Sequence, residues 1–315
     1  MENKKIDILC IGEALVDFIG HQPDVSLSLT KDYHRYIGGS PTNVAMNMAR
    51  LGLNATLIAT IGKDGLGDYI LERLNEVQVN TALIRKDESK PTSSIFISRT
   101  SGTPEFIPYL SADSEIIDAQ IPDHILEQAK LFHTTSFSLS RNPAQKTILN
   151  AAKKALRFNC KLSIDVNYSE KIWPDRSEAI KVLGKYFSKN PLVKISQDDI
   201  SRLFGVTITI EEALQKIHDY GVDLICLTLG KDGVIVSQNG QPSIIKPAKE
   251  IKEVKDATGA GDAFLALTSL LVQQKVDPIL IPFLGNCIAG LKTRIVGNKK
   301  PVSKLDLIRA ANSIL

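Results

Sequence analysis

Residues 255–264 read Lys-Asp-Ala-Thr-Gly-Ala-Gly-Asp-Ala-Phe, and the apolar run that follows them predicts a helix. Gly259 and Gly261 can adopt backbone angles that are closed to other residues, and with Ala260 they leave the N–H groups of the helix start uncovered. Uncovered N–H groups at the positive end of a helix dipole bind anions, phosphate above all. Asp262 follows directly, where a carboxylate is suited to orient a hydroxyl and accept its proton during phosphoryl transfer. A glycine-rich turn that only caps a helix is the alternative.

The composition is that of an ordinary globular protein and excludes several classes. Of the 315 residues, 43% are apolar, and no apolar run approaches the ~18 residues that a membrane span needs. The formal net charge of +3 is spread evenly, so we expect no nucleic-acid partner. The four cysteines are widely spaced and form no metal-binding pattern. The first residues read as the approach to a strand and not as a signal peptide. We therefore expect a cytoplasmic protein with reduced cysteines and no membrane contact.

Short β-branched runs alternate with helical spacing along the chain, which predicts a mostly parallel sheet with helices on both faces. We predict strands over 6–11, 55–61, 131–135, 162–166, 193–196 and 224–229, and helices over 42–51 and 66–77. Two segments, 14–37 and 92–110, instead alternate apolar and polar side chains, as strands with one buried face do. They predict a small second sheet outside the main one, within a single domain over residues 1–315.

Polar residues stand where strands end, and ligands of such sheets bind at the carboxyl ends of the strands. Asp17 follows the first strand and could accept hydrogen bonds from sugar hydroxyls; a solvated turn aspartate is the alternative. Gly38 and Gly39 let the backbone approach a ligand closely, and Asn43 offers both a donor and an acceptor. A helix cap is the alternative for this segment. Asp165 and Asn167 lie at the end of another predicted strand.

These motifs together resemble the signature of the ribokinase-like (PfkB) carbohydrate kinases. Residues 256–264 match its glycine-rich segment, residues 38–45 resemble the Gly-Gly-Ala-Pro-Ala-Asn-Val-Ala of fructokinases, and residues 165–173 resemble their Asp-Pro-Asn-x-Arg…Leu-Trp pattern. The resemblance implies a ribokinase-like three-layer α/β/α sandwich with a small β-sheet lid. It implies an ATP-dependent kinase that phosphorylates a primary hydroxyl of a small sugar. Asp262 would be the base, with residues 259–261 as the anion hole. The sugar side would consist of Asp17, Gly38, Gly39, Asn43, Asp165 and Asn167.

The same resemblance implies a nucleotide side built from Ser196, Thr228, Gly230, Gly233, Thr258, Gly259, Gly261 and Asn286. Ser196 and Asp199 stand in an element that relatives write Asn-x-x-Glu, which implies that Asp199 positions Mg²⁺ through water. An acidic helix N-terminus is the alternative for Asp199, and an internal hydrogen bond is the alternative for Asn286. The segments around Asp256 and Gly297 resemble a monovalent-cation loop, which implies activation by K⁺.

Two departures from the family pattern bear on the substrate. Leu110 and Ser169 stand where relatives carry arginine, and arginine suits carboxylates. We therefore expect a neutral sugar, with fructose first. Ketodeoxygluconate, related sugar acids and nucleosides are the alternatives within the class, and a non-catalytic sugar- or nucleotide-binding regulator is the alternative outside it. Lys171 or Arg176 could supply the contact that Ser169 lacks.

The small sheet also predicts an assembly. Its strands have one apolar face that must be covered. Pairing with the same sheet of a second subunit would cover it with two-fold symmetry, so we expect a homodimer formed through the lid. Ile95 and Ile97 share one face of their strand and are the expected contact residues.

Overall fold

The computed structural model describes residues 4–100, 104–247 and 260–265. Their strands, in chain order, are β1 (Ile6–Ile11), β2 (Leu15–Pro23), β3 (Tyr33–Gly38), β4 (Ala55–Gly62), β5 (Asn80–Asp87), β6 (Ser94–Arg99), β7 (Phe106–Tyr109), β8 (Ala129–Thr135), β9 (Lys161–Val166), β10 (Leu192–Ser196), β11 (Leu224–Thr228), β12 (Val234–Gln238) and β13 (Ile244–Lys246). The helices are α1 (Ser40–Arg50), α2 (Gly65–Glu76), α3 (Asp123–Gln128), α4 (Ala144–Arg157), α5 (Arg176–Phe187), α6 (Gln197–Phe204) and α7 (Ile210–Asp219). Residues 260–265 are also helical. None of these described helices is long and apolar enough to cross a membrane.

A large sheet forms the centre of the molecule, with the strand order β13-β12-β11-β10-β9-β8-β1-β4-β5 over the described residues. All neighbours from β5 through β11 are parallel, and β12 and β13 add an antiparallel edge. Parallel neighbours place the carboxyl ends of their strands at one edge of the sheet, and two predicted sugar-binding residues, Asp165 and Asn167, lie at that end of β9. The ribokinase-like α/β architecture predicted from the sequence is confirmed.

Helices cover both faces of this sheet, because its strands are apolar on both sides. Along β1, Leu9 and Ile11 belong to the apolar core that also contains residues of α4, α5, α6 and α7. Ile8 and Cys10 point the other way, into the core shared with α1, α2 and residues 263–265. The near-continuous burial of β1 is typical of strands in parallel sheets.

The small sheet has the order β3-β2-β6-β7, with β2 and β6 parallel and the other pairs antiparallel. Two carboxylates, one partly exposed and one buried, hold the chain just before β6. Asp64, which caps α2, accepts hydrogen bonds from the N–H and the hydroxyl of Thr92, both at 2.7 Å. Asp113 accepts a hydrogen bond from the hydroxyl of Ser93 and forms an ion pair with Arg141 at 3.1 Å. The small sheet is therefore tied to the core where it begins.

A glycine pair makes the turn from β3 into α1. Gly39 has a φ of 95°, and a Cβ there would lie 2.2 Å from the carbonyl oxygen of Glu13. A Cβ on Gly38 would lie 2.4 Å from a carboxylate oxygen of Asp17. Only glycine allows both approaches. The two glycines therefore allow the start of α1 to pack closely against the segment that follows β1.

We predict that Gly39→Ala lowers the free energy of unfolding by more than about 3 kcal/mol, because a backbone clash adds to an unfavourable φ. Gly52→Ala is the matched control: its φ is 83°, but no atom lies within 4 Å of the added carbon. It should cost only about 1 kcal/mol. Urea unfolding of both variants provides the measurement, and equal losses would show that the approach to Glu13 is not a constraint.

Candidate functional site

Asp262 lies in the first turn of the helical segment 260–265 and is held on both sides by α1. The hydroxyl of Ser40 donates to its Oδ1 at 2.6 Å, and Nδ2 of Asn43 donates to its Oδ2 at 2.8 Å. Asp262 is buried, with 7% of its surface exposed. The structure thus brings together two of the residues that the sequence selected, Asn43 and Asp262, and adds Ser40 to them.

The environment of Asp262 suits a proton acceptor near neutral pH. Burial raises the pKa of Asp262 to about 6, and the negative charge of Asp165 adds to the rise. The hydrogen bonds from Ser40 and Asn43 and the positive charge of Lys194 oppose it. A carboxylate with this pKa is mostly ionised at pH 7 and still holds a proton better than an exposed aspartate does, which is the compromise that general-base catalysis needs.

Lys194 is a site residue that the sequence analysis missed. It lies in the buried strand β10, and its Nζ donates to both carboxylate oxygens of Asp165, at 2.9 and 3.1 Å. Burial alone would lower the pKa of Lys194, but the carboxylates of Asp165 and Asp199 outweigh it and raise the pKa. A Cβ on Gly261 would lie 2.8 Å from this ammonium. The lysine therefore lies against the helix start that we predicted to bind phosphate, and a positive charge there fits an anion.

Glu13 is a second residue that the sequence analysis missed, and its carboxyl group holds the start of α1. Its Oε1 accepts a hydrogen bond from the N–H of Ser40 at 3.1 Å, and its Oε2 accepts from the hydroxyls of Thr135, at 2.8 Å, and of Ser138. Its carbonyl oxygen accepts from the hydroxyl of Thr42 at 2.9 Å. Burial raises the pKa of Glu13 to about 8 against these hydrogen bonds. The carboxyl group links β8 and the loop after it to the helix that holds Asp262.

Ser196 and Asp199 form the capping box of α6. The hydroxyl and N–H of Ser196 donate to Oδ2 of Asp199 at 2.5 and 3.0 Å, and the N–H of Asp199 donates back to the hydroxyl at 3.1 Å. Burial raises the pKa of Asp199 to about 6. This arrangement is the helix-terminus alternative that the sequence left open. A role for Asp199 with Mg²⁺ stays a prediction, as no metal-binding group of three or more His, Cys, Asp or Glu occurs within the described ranges.

The other predicted sugar residues lie at the same edge of the large sheet or beside it. Asp17 is in β2, where its carboxylate takes the space that a side chain on Gly38 would need. Oδ1 of Asn167 accepts hydrogen bonds from the N–H of Phe137 at 3.3 Å and the hydroxyl of Ser136 at 3.4 Å. Asn167 therefore fixes the loop after β8, and its contact with a sugar stays a prediction.

The predicted nucleotide residues are only partly described. Thr228 ends β11 directly opposite Ser196 in the strand register. Gly230 and Gly233, with φ of 60° and 111°, make the tight turn into β12. The remaining predicted residues lie outside the described part of the chain: Asp256, Thr258, Gly259, Asn286 and Gly297.

Comparison with known proteins gives consistent matches along the chain. Residues 5–276 match the family model described as pfkB family carbohydrate kinase. An ATP-dependent 6-phosphofructokinase of Thermoanaerobacterium thermosaccharolyticum is 33% identical over 312 residues, which cover 98% of this chain and 94% of that protein. A structure of an uncharacterized sugar kinase of Pyrococcus horikoshii in complex with ATP is 30% identical, with a TM-score of 0.83, and the match covers 98% of this chain and 100% of that one. A fructokinase structure of Halothermothrix orenii is 31% identical, with a TM-score of 0.79 and coverage of 94% and 100%.

The buried Glu13 predicts a pH-dependent stability. Its pKa is about 8 in the folded protein against an ordinary value of 4.5, so between these pH values the native state binds more protons than the unfolded state. The free energy of unfolding therefore falls as pH rises through this window, by at most about 1.4 kcal/mol per unit from this group. Glu13→Gln cannot titrate, and either neighbouring hydroxyl can turn to accept from its amide. We expect the variant to lose this part of the slope in urea unfolding between pH 5 and pH 8.

Two further variants serve as comparisons for the Glu13→Gln measurement. Glu13→Ala should be destabilised at both pH values, because three donors lose their acceptor. Glu88→Gln, at a side chain 78% exposed, should keep the wild-type slope. An unchanged slope in Glu13→Gln would mean that Glu13 is ionised throughout.

Proposed function

Since the chain belongs to the pfkB family of carbohydrate kinases, we propose that this sugar kinase transfers the γ-phosphoryl group of ATP to a primary hydroxyl of fructose. The observation that carries the proposal is Asp262, a buried carboxylate with both oxygens held in place, one residue from Gly261 and close to the ammonium of Lys194. A base beside an anion site is what phosphoryl transfer to a hydroxyl needs.

The residues of the chain act in distinct ways in this proposal. Asp262 orients the sugar hydroxyl and takes its proton as the phosphoryl group moves onto the oxygen. The N–H groups of Ala260 and Gly261, with Lys194 behind them, stabilise the negative charge that develops on the phosphoryl oxygens. The small sheet covers the sugar and excludes water, which would otherwise compete as acceptor.

Two metal ions are expected with the nucleotide. Mg²⁺ bound to ATP would offset the charge of its phosphates. Asp199 would hold the waters of this ion through the carboxylate that caps α6. K⁺ activation stays an expectation that attaches to Asp256 and Gly297.

Fructose is favoured by the absence of two arginines that relatives carry and by the similarity to a fructokinase structure. Leu110 and Ser169 provide no guanidinium for a sugar acid, and the structure similar to this chain at 31% identity is a fructokinase. A missing guanidinium–carboxylate bond in a buried site costs about a hundredfold in affinity. A neutral ketose is therefore favoured over ketodeoxygluconate.

We predict ATP-dependent phosphorylation of fructose with a kcat/KM above that for ketodeoxygluconate, ribose or a nucleoside, measured by coupled ADP release. Asp262→Asn should keep the fold and ATP binding but lower kcat by about 10²–10⁴-fold, the usual share of a general base. Sugar binding without ADP release in the wild-type protein would instead identify a non-catalytic regulator. Wild-type turnover in Asp262→Asn would remove the assigned base.

A phosphorylated sugar is the second candidate substrate, and Lys171 is the observation that favours it. Lys171 is exposed in the segment after β9, and its Nζ donates to the carbonyl of Phe106 in β7 at 2.5 Å and lies 4.9 Å from that ring. Among the described residues, no carboxylate forms an ion pair with it. An ammonium that spans the gap between the two sheets with only a neutral partner could bind the phosphate of fructose 6-phosphate. The relative at 33% identity is named as a 6-phosphofructokinase.

The Lys171→Met variant separates these two substrates. If fructose 6-phosphate is the acceptor, the variant should raise its KM about tenfold or more, because a charged hydrogen bond is lost, and should leave the KM for fructose unchanged. If fructose is the acceptor, wild-type kcat/KM is higher for fructose, and the variant changes neither constant by more than about twofold. Lys181→Met, on the exposed face of α5, serves as the control.

The proposed homodimer would use the ring face of the small sheet. The ring centroid of Phe96 lies 5.0 Å from that of Phe18, 5.1 Å from that of Tyr33 and 5.7 Å from that of Tyr109. Tyr109 and Ile107, on the same face, are 59% and 42% exposed. Ile95 is only 9% exposed and Ile97 is partly buried, because both pack against the core of their own chain. Our choice of those two residues as the contact was therefore wrong, and the opposite face of the strand is the proposed interface.

We predict that the protein is a dimer at micromolar concentration and that the double variant Ile107→Lys, Tyr109→Lys is a monomer with weaker sugar binding. Two ammonium groups in an apolar interface would be buried without partners. Val206→Lys, at an 88% exposed residue before α7, should remain dimeric. Light scattering gives the mass, and a monomeric wild-type protein would refute the proposed assembly.

A further inference from the structure

The first residue of α1 adds a hydroxyl to the site that no motif predicted. Ser40 is half-buried, and its hydroxyl lies 2.6 Å from Oδ1 of Asp262. The distance is in the range usual for a hydroxyl that donates to an ionised carboxylate. Asn43 holds the other oxygen at 2.8 Å. The two donors thus act on opposite sides of one carboxyl group and fix its plane.

The position of Ser40 is itself fixed. Its N–H donates to Oε1 of Glu13 at 3.1 Å, and Gly39 packs directly on the carbonyl of Glu13. The backbone of Ser40 is therefore held by the segment after β1, and only the hydroxyl can turn. A group that is fixed in this way can impose a geometry on the carboxylate and does not merely follow it.

We propose that Ser40 is a positioning residue for the phosphoryl transfer: its hydroxyl holds one oxygen of Asp262 while Asn43 holds the other, so that the base is oriented and ready to accept a proton before the sugar arrives. The inference rests on the proposed kinase reaction and deepens the description of its base. Ser40 acts through Asp262 and contributes no bond to the sugar or ATP.

Removing the hydroxyl has two physical consequences. The carboxyl group loses one of the two bonds that fix its plane, so it points at the acceptor hydroxyl for a smaller fraction of the time. The pKa of Asp262 also rises, because the Ser40 hydrogen bond favours the ionised form. The other charged groups facing Asp262 remain: Asp165 in β9 raises the pKa, and Lys194 in β10 lowers it. Glu13 lies behind Ser40.

The kinetic test compares Ser40→Ala with Ser40→Thr, which restores a hydroxyl, and with Ser188→Ala, which removes an exposed hydroxyl at the end of α5. We expect Ser40→Ala to lower kcat about tenfold with the KM values for sugar and ATP within about twofold. The acid limb of its kcat–pH profile should move upward by about one unit. Ser40→Thr should recover most of both effects, and Ser188→Ala should match the wild type. An unchanged kcat and acid limb in Ser40→Ala would overturn the proposal, as would a loss that appears only in the KM values.

A second measurement does not depend on turnover. In protein labelled with ¹³C at the aspartate carboxyl, the resonance of Asp262 is the one that disappears in Asp262→Asn, and its titration gives the pKa directly. A higher pKa of Asp262 in Ser40→Ala supports the contact, and an equal pKa refutes it. If the wild-type protein phosphorylates no sugar while this pKa still rises, the proposed function fails and the Ser40–Asp262 contact stands. If sugars are phosphorylated and the pKa is unchanged, the inference alone fails.

Discussion

The close approach of Gly39 to the carbonyl of Glu13 is the constraint from which the site follows. It places the N–H of Ser40 on the carboxyl group of Glu13, which is in turn held by hydroxyls of β8 and of the loop after it. Because these contacts fix the start of α1, its first turn places Ser40 and Asn43 beside Asp262. Two glycines and one buried acid thus decide where a hydroxyl and an amide contact Asp262, a carboxylate from a distant part of the chain.

The site also depends on the electrostatic interactions among its buried charged groups. The charge of Asp165 raises the pKa of both Asp199 and Asp262, and the charge of Lys194 lowers the pKa of all three carboxyl groups. Lys194 binds Asp165 directly and lies farther from the other two, which keep a pKa of about 6. One direct ion pair therefore stabilises the lysine in the core, although burial still raises the pKa of all three carboxyl groups. A buried lysine without Asp165 would be costly, which explains why the two occur on neighbouring strands.

Sequence reasoning located the main architecture because local patterns determine it. The strand over 6–11 has the predicted bounds, and the helices over 42–51 and 66–77 differ from α1 and α2 by one or two residues. β5 was not predicted, as this edge strand carries half-exposed polar residues that lack the apolar run of the central strands. The candidate site was predicted in part where a motif repeats a known order of residues, as at Asn43 and Asp262, which the structure brings together. It was missed at Glu13, Ser40 and Lys194, because each is a single polar residue whose role comes from contacts across the fold. Lys194 did give a signal, since a lysine inside an apolar strand requires a partner.

The two bonds that hold Asp262 span 222 and 219 residues of sequence. At a synthesis rate of about 5–20 residues per second, roughly 10–45 s separate the appearance of α1 from that of Asp262 on the ribosome. The strands of the predicted sugar side are complete in the nascent chain well before that. A chain that ends before residue 262 would therefore contain the framework of the proposed sugar site without its proposed base. The order of the sequence thus makes Asp262 a late addition to the site, and under the proposed mechanism activity cannot precede its synthesis.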